Sequence, residues 1–540
     1  MGQDEEKRGE KSVNSATSIR QVKLESADFT LHNSRGINLR PVPSSDPNDP
    51  LNWPKWRKLY NMTIVSLYTL MCYALLCVAV PSWTTMSKDL GFSFNEFNNS
   101  YALSLGTTGI GCILFIPLTI DYGRRPIYIV SGFGMILFCA WSAKMNSVWE
   151  LYVTQAIQGL VTSTAEIIVQ MTISDMFFVH ERASMNGMYL VFCYLGNNMA
   201  QVAGGYVTLS QGWRWNYWWC LILMAGLQLL ILFTFEETKY VRNNPARPTS
   251  IAFDKLQAMS VTNAIEPNND SKTPWIDFTI PKRTYLQKMA LYTKTEAPEK
   301  STWRKWLGPC IIIFKFPLVL FVAVQYGFSV AWTSIMSTTA SLYLGKDPYN
   351  FSSAAIGNIN ISPFVGTVIG TIIGGILCDW SVVQLSKWNN GLFKPEYRLY
   401  SAILPSLAII GSLFMYGYGF HNHDAWIVPV FAYGMASFGG TALSDSILTY
   451  LMDSYREMIG QSMIGVVVVQ NIIPMALVFG IKPWNDAIGI DKVMCICGGL
   501  SIAALLTIFP MIKYGKKVRQ RSEGPYEEFL RNFTREARLA

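Results

Sequence analysis

Two acidic residues, Glu166 and Asp445, lie in the middle of long apolar stretches of the sequence. An ionisable side chain inside a membrane span is costly and indicates a functional site. Glu166 belongs to a polar stripe that steps by three and four residues along one helical face: Gln155, Gly159, Thr162, Ser163, Glu166 and Gln170. Asp445 has a threonine one turn to either side, Thr441 and Thr449. Two such carboxylates suit a cationic substrate, a proton, or both in alternation; the alternative is a structural acid hydrogen-bonded across helices.

The stretches that carry these acids belong to a chain built for a lipid bilayer. Its 540 residues are 50% hydrophobic and 15% charged, whereas soluble domains carry about 25% charged residues. This composition excludes a disordered chain, a coiled coil and an ordinary soluble multidomain enzyme. The apolar residues fall in blocks of about 20, the length that crosses a bilayer as a helix. The sequence therefore predicts a polytopic membrane protein.

Twelve apolar blocks are arranged as six spans, a long polar loop and six more spans. The blocks cover residues 60–82, 99–120, 126–144, 149–173, 185–209, 215–236, 308–330, 352–378, 399–420, 425–451, 462–482 and 490–512. The predicted units are a polar N-terminal tail 1–55, a first six-helix half 56–236, a central loop 237–306, a second half 307–512 and a C-terminal tail 513–540.

Lys and Arg gather on one side of the predicted spans. Arg124, Arg125, Lys239, Lys516 and Lys517 all fall on the side that holds both chain ends. Because basic residues favour the cytoplasmic side, we expect both termini and the central loop in the cytoplasm. The net charge of +8 is explained by this topology, and we expect no nucleic-acid partner.

The sequence offers little for enzyme, metal or cofactor chemistry. It contains four His, and its ten Cys are scattered, several of them inside apolar blocks. The pair Cys495 and Cys497 lies in an apolar run, which favours a core position over a metal site. No nucleotide-binding G-x-x-x-x-G-K-[ST] motif is present. We therefore expect a protein that is not an enzyme and that needs no cofactor or metal.

A short loop after the second span carries Asp121, Gly123, Arg124 and Arg125. An acid, a glycine turn and two arginines at a membrane edge can fasten two helices by charge pairing and capping. The loop resembles the signature loop of the major facilitator superfamily (G-x-x-x-D-R-x-G-R-R), with Pro117 in place of its leading glycine and a one-residue contraction at Tyr122. Asp379 occupies the position of Asp121 in the second half. The resemblance implies gating or conformational roles for Asp121, Arg124, Arg125 and Asp379.

Other segments resemble the fungal twelve-span drug:proton antiporter branch of that superfamily. They are the run DPNDPLNWPKWRK at 46–58, the FFVHER run at 177–182, GWRW at 212–215, the segment NNG with KPEYRL at 389–399, and TYLMD at 449–453. Two positions depart from the branch. Gln155 replaces a membrane arginine in span four, and Gln201 replaces the proline of the antiport motif in span five. A proline bends a helix, so its loss weakens the case for drug export.

Aromatic and amide side chains could complete a cation site. Tyr68 and Tyr73 in span one, with Tyr326 and Trp332 in span seven, could make cation–π contacts or could simply pack. Several amides could bind substrate or could serve as interhelical contacts: Asn198, Gln201, Asn358, Asn360, Gln470 and Asn471. Glycines repeat at about one turn in span eight, which predicts a close-packed helix face: Gly366, Gly370, Gly374 and Gly375.

The resemblance implies an all-α membrane protein with the major facilitator fold, in which spans four and ten face a central cavity. The resemblance extends to a fungal subgroup that imports polyamines and other organic cations. We therefore expect a monomeric plasma-membrane transporter that imports polyamines such as spermidine, putrescine and spermine by proton symport. Glu166 and Asp445 would hold substrate and proton, with Gln170, Tyr68, Tyr326, Trp332, Asn198 and Asn360 around them. The alternatives are a multidrug:proton antiporter and a transporter-like nutrient receptor, which the short C-terminal tail disfavours.

Overall fold

The computed structural model describes residues 46–240, 284–289, 312–389, 394–455 and 458–527. Most of the predicted N-terminal tail and central loop lies outside these residues. All regular secondary structure in the described residues is helical.

In the described residues, twelve long helical segments follow one another and are numbered α1 to α12; shorter helices such as Trp83–Leu90 and Tyr285–Lys288 lie between them. In the first half they are α1 Lys55–Cys77, α2 Phe94–Tyr122, α3 Arg125–Ala143, α4 Val148–Met176, α5 Val179–Tyr194 with Leu195–Met199 and Ala200–Gln211, and α6 Arg214–Thr234. In the second half they are α7 Pro317–Leu344, α8 Ser353–Ile359 with Ile361–Trp388, α9 Tyr397–Ser401 with Ile403–His421, α10 Ile427–Ser454, α11 Ile459–Ile488 and α12 Ile490–Arg521.

The predicted all-helical membrane fold is confirmed. Among the described residues, 11 helices are long and apolar enough to cross a membrane. The remaining segment is α5, whose middle carries the amides Asn197, Asn198 and Gln201. Large side chains on the outer surface are exposed and apolar, for example Leu137 on α3 and Leu506 on α12. An apolar surface of this kind requires lipid rather than water around it.

Local sequence signals account for several helix ends. Ser93 and Glu96 form a capping box at the start of α2, which satisfies backbone N–H groups that the first turn leaves free. Gly489 ends α11 with a positive φ of 86°, a conformation that favours glycine. α12 continues to Arg521, so the start of the predicted C-terminal tail at residue 513 is helical.

The two halves contact each other on both sides of the membrane. We name the side where α1 begins and α12 ends the terminal side, and the opposite one the distal side. Four polar contacts join the halves on the distal side: Asn98 Nδ2 to Val478 O (2.6 Å), Ser341 Oγ to Val80 O (2.9 Å), Thr85 Oγ1 to Ser353 Oγ (3.1 Å) and Asn358 Nδ2 to Tyr206 Oη (3.0 Å). On the terminal side, α11 packs against α2 and α4.

Glycines let α8 approach α10 closely, as the one-turn repeat predicts. A Cβ atom at Gly374 would lie 2.7 Å from the Cα atom of Ala442, and Gly366 and Gly370 also face the α10 backbone. Gly375 has nothing within 4 Å of its Cβ position. Three of the four glycines therefore form the packed face, and Gly375 lies beside it.

Replacing Gly374 with valine should separate α8 from α10 and destabilise the second half. Overpacking of this kind costs about 1–3 kcal/mol. We expect Gly374→Val to lower the unfolding temperature in detergent and to reduce the monodisperse fraction. Gly375→Val is the matched control and should behave like the wild type; equal damage from both variants would contradict the close-packing interpretation.

Candidate functional site

Glu166 lies between the two halves and has hydrogen-bond partners on both sides. Its Oε1 atom accepts a hydrogen bond from the Tyr73 hydroxyl of α1 (3.1 Å). Its Oε2 atom accepts one from the Asn471 amide of α11 (2.9 Å). The side chain is only half-buried. Three helices from both halves therefore converge on a single carboxylate.

Asp445 on α10 has a different environment. Its side chain is half-buried, and among the described residues no donor lies within hydrogen-bond distance of its carboxylate. Its backbone carbonyl accepts a hydrogen bond from the Thr449 hydroxyl (2.6 Å). No Lys or Arg side chain is paired with either acid in the part of the chain that the structure describes. The two negative charges therefore lack a built-in cationic partner.

Tyrosine side chains lie near both acids. Tyr326 of α7 is close enough to interact electrostatically with both Glu166 and Asp445. Tyr73 and Tyr189 lie near Glu166, and Tyr194 lies near Asp445. We name these four residues, Tyr73, Tyr189, Tyr194 and Tyr326, the tyrosine group. Tyrosine rings can bind an organic cation through their faces, and their hydroxyls can donate or accept hydrogen bonds.

Tyr189 and Tyr194 were not among the residues selected from the sequence. Both lie on α5, and the spacing of the polar residues on this helix indicates a face that includes Tyr194. Tyr194 precedes Asn197, Asn198 and Gln201 by steps of three, four and seven residues, which places them on adjoining parts of one helical face.

Two of the predicted aromatic residues are buried. The Tyr68 ring is fully buried inside the first half, where its hydroxyl bonds Ser131 (2.6 Å) and Thr164 (2.8 Å). Trp332 is buried inside the second half and stacks on Phe328 with ring centroids 5.5 Å apart. Their burial and these contacts within one half favour a packing role for both. The sequence pattern predicts which helix carries an aromatic residue. It does not predict whether the side chain faces the interior of one half or the interface between the halves.

The predicted amides lie around the site with their own local bonds. Asn198 donates to the Tyr194 carbonyl (3.2 Å), and Asn360 donates to the Gly357 carbonyl (3.2 Å). The Oδ1 atom of Asn360 is buried without a partner. Gln170 lies one turn from Glu166 on α4 and is half-buried. These residues stay near the interface of the halves, while the direct contact to Glu166 comes from Asn471.

The predicted loop residues form a network at the terminal-side edge of the first half. Arg124 pairs with Asp175 at the end of α4, with Nε and Oδ2 2.9 Å apart. Glu237 accepts hydrogen bonds from the backbone N–H groups of Arg124 and Arg125. The Arg125 guanidinium donates to the Leu232 carbonyl (2.7 Å) and to the Phe235 carbonyl (2.9 Å), at the end of α6.

The second half repeats this arrangement. Arg398 at the start of α9 pairs with Asp453 at the end of α10 (2.6 Å) and with Asp379 (3.5 Å). Arg519 near the end of α12 pairs with Glu396 (2.8 Å). Each of these ion pairs joins helices of one half. They therefore hold each half together as a unit and do not fasten one half to the other.

Comparison with known families agrees with this repeated architecture. The model of the Major Facilitator Superfamily matches residues 62–477, more than half of the chain. The chain belongs to the major facilitator superfamily. The members of this family are transporters and not enzymes, which confirms the expectation that the protein is not an enzyme.

Named relatives cover nearly the whole chain. An uncharacterized MFS-type transporter of Schizosaccharomyces pombe is 32% identical over 92% of this chain and 90% of its own length. Protein HOL1 of Saccharomyces cerevisiae is 25% identical over 90% of this chain and 91% of its own length. The crystal structure of the human organic anion transporter MFSD10 (TETRAN) has a TM-score of 0.52 at 13% identity, and it covers 84% of this chain and 100% of its own. The structural likeness confirms the fold.

The α5 helix of this superfamily member is irregular without the proline of the antiport motif. Its residues Leu195–Met199 form a π-helical turn, and Gln201 donates to the Asn197 carbonyl (2.9 Å). A π-helical turn widens the helix and often lies at a functional site. The π turn interrupts the regular helix two to six residues before Gln201, the position where the antiport motif has its proline.

Replacing Gly123 with alanine should weaken the loop network. Gly123 has a φ of +106°, and a Cβ atom there would lie 2.9 Å from the Glu237 carboxylate carbon. Such strain costs about 1–3 kcal/mol. We expect Gly123→Ala to lower the unfolding temperature of the purified protein. Gly226→Ala, at an α6 position with nothing within 4 Å, is the control, and a shift of the same size there would contradict the account.

Proposed function

We propose that this transporter carries small organic cations across the membrane by alternating access, with polyamines such as spermidine, putrescine and spermine as the leading substrates. The observation that carries the proposal is the pair of acids, Glu166 and Asp445, that no described Lys or Arg neutralises. Charge inside a membrane protein requires compensation. A bound cation or a proton supplies it, and the empty site would favour taking one up.

The tyrosine group supports an organic cation rather than a metal ion. Aromatic faces attract ammonium groups, and their apolar edges match a methylene chain. Tyr326 lies near both acids, so a molecule with two amino groups could contact Glu166 and Asp445 together while its chain lies along the ring. A monovalent cation would use one acid and leave the other for a proton.

Direction, coupling and location are part of the same proposal. The transporter would import its substrate by proton symport as a monomer at the plasma membrane, with both termini in the cytoplasm. The distribution of basic residues supports this topology. The resemblance to fungal importers of polyamines supports the direction.

Uptake of labelled spermidine, in cells that lack their own importer, tests the proposal. We expect saturable uptake by the wild type that is faster at acidic than at neutral outside pH. Glu166→Gln and Asp445→Asn should each lower it by about tenfold or more at matched surface expression, since a contact to a charged group contributes about 1.5–3 kcal/mol.

Tyr68→Phe is the control for damage outside the site, because Tyr68 is buried within the first half. It should retain uptake once expression is matched. Normal uptake by both acid variants would remove the acids from substrate recognition.

A multidrug exporter is the second candidate, favoured by the loop segments at 46–58 and 389–399 that resemble the drug:proton antiporter branch. It predicts drug resistance on overexpression and no spermidine uptake by the wild type.

A further inference from the structure

The two acids differ in how many hydrogen bonds their carboxylate oxygen atoms accept. Both oxygens of Glu166 accept hydrogen bonds, from Tyr73 and from Asn471. Asp445 accepts none from the described residues and is partly exposed. An amino group that enters the site therefore meets an open carboxylate at Asp445. At Glu166 it meets a carboxylate whose two oxygens already accept hydrogen bonds from the protein.

The donor at Glu166 comes from the opposite half. Asn471 lies on α11, while Glu166 lies on α4 of the first half. α11 comes this close because α2 has a glycine at the crossing: a Cβ atom at Gly109 would lie 3.3 Å from the Asn471 Cβ atom and 3.4 Å from the Val468 carbonyl oxygen. The position of Asn471 relative to Glu166 therefore reports the distance between the halves.

An apolar cluster seals the terminal side directly beside this bond. Its residues come from α2, α4 and α11, and we name them the terminal seal: Cys112, Ile116, Ile167, Ile464, Val467 and Val468. Ile167 follows Glu166 in the sequence, and the Asn471 amide also donates to the Val467 carbonyl (2.9 Å). Movement of α11 away from α4 would break the bond and open the seal together.

Among the described residues, the titratable side chains that face Glu166 carry no charge of their own at ordinary pH. The titratable side chains near it are Tyr73 on α1, Cys112 on α2, Tyr189 and Cys193 on α5, and Tyr326 on α7. All of these groups are neutral at ordinary pH. The charge state of Glu166 is therefore the electrostatic variable at this contact.

We propose that the two acids have different tasks: Asp445 anchors the substrate cation, and Glu166, through Asn471, couples occupancy of the site to opening of the terminal seal. Asn471 is a positioning residue in this scheme. The proposal rests on the proposed function for the identity of the cation.

The physical reason lies in the strength of the bond. A hydrogen bond from an amide to an ionised carboxylate is roughly twice as strong as one between neutral groups. With Glu166 ionised, Asn471 holds α11 against α4. A proton that binds Glu166, or an ammonium group that replaces the amide, weakens the bond and lets α11 move. The proton leaves Glu166 again once the site faces the other side.

Proteoliposomes that contain the purified full chain separate the two tasks. Exchange of labelled for unlabelled spermidine at equal pH requires the anchor, whereas accumulation driven by a pH gradient also requires coupling. We expect Asp445→Asn to lose both activities by about tenfold or more. Asn471→Leu should keep exchange within about threefold and lose gradient-driven accumulation, and Glu166→Gln should lose gradient-driven accumulation. Loss of exchange in Glu166→Gln with exchange retained in Asp445→Asn would overturn the assignment.

Alkylation of Cys112 reports opening of the seal whatever the substrate is. Cys112 is 1% exposed, so N-ethylmaleimide should reach it only when α11 moves. The rate, measured by mass spectrometry and normalised to the partly exposed Cys495, should rise in the wild type as pH falls. It should be high at every pH in Asn471→Leu.

Asn98→Leu is the matched control, because Asn98 also joins the halves but donates to a neutral carbonyl on the distal side. It should keep the pH response of Cys112. A wild-type response in Asn471→Leu would overturn the coupling role. If the wild type carries no spermidine, the proposed function fails, and the Cys112 rates still decide the role of Asn471.

Discussion

The structure depends on two carboxylates inside the membrane-spanning region that no Lys or Arg among the described residues neutralises. Keeping such a charge away from bulk water is costly unless a proton, a cation or strong hydrogen bonds compensate it. Glu166 receives hydrogen bonds from Tyr73 and Asn471, and Asp445 keeps its carboxylate open. Under the proposed function, a bound cation or a proton would supply the missing positive charge, and this would link the charge of the substrate to the arrangement of the halves.

The halves themselves are reinforced by ion pairs at their terminal-side edges. Arg124 with Asp175 in the first half corresponds to Arg398 with Asp453 in the second. The last span of each half contributes a group of opposite charge. In the first half the acid Glu237, after α6, accepts a hydrogen bond from the backbone N–H of Arg125. In the second half the base Arg519, on α12, pairs with Glu396. Each network lies within one half. None of these ion pairs would therefore have to break if the halves move relative to one another, as alternating access in a repeat-built transporter requires.

Sequence reasoning identified the features that physical chemistry makes periodic. Span length predicts the apolar blocks, and desolvation cost singles out the acids Glu166 and Asp445. Helical spacing predicts the packed face of Gly366, Gly370 and Gly374. The all-helical fold and the superfamily are confirmed, while the substrate stays a prediction.

The side-chain environment was less accessible to sequence reasoning. Tyr68 and Trp332 were expected in the site and lie inside the two halves, because every helix of such a bundle has more than one buried face. Asn471 was one of several candidate amides. Its contact with Glu166 depends on how α11 crosses α2 at Gly109, a tertiary feature that periodicity within one helix does not contain.

The central claim is that the site recognises positive charge, and the most direct measurement is thermal stabilisation of the purified protein by a series of ligands. A ligand that binds only the folded state stabilises it by RT ln(1 + L/Kd), where L is the free ligand concentration. We expect stabilisation to increase from a neutral, fully acetylated polyamine through a monoamine to putrescine and spermidine, and to weaken at high salt. Equal stabilisation by the neutral analogue, or none by any amine, would contradict the account.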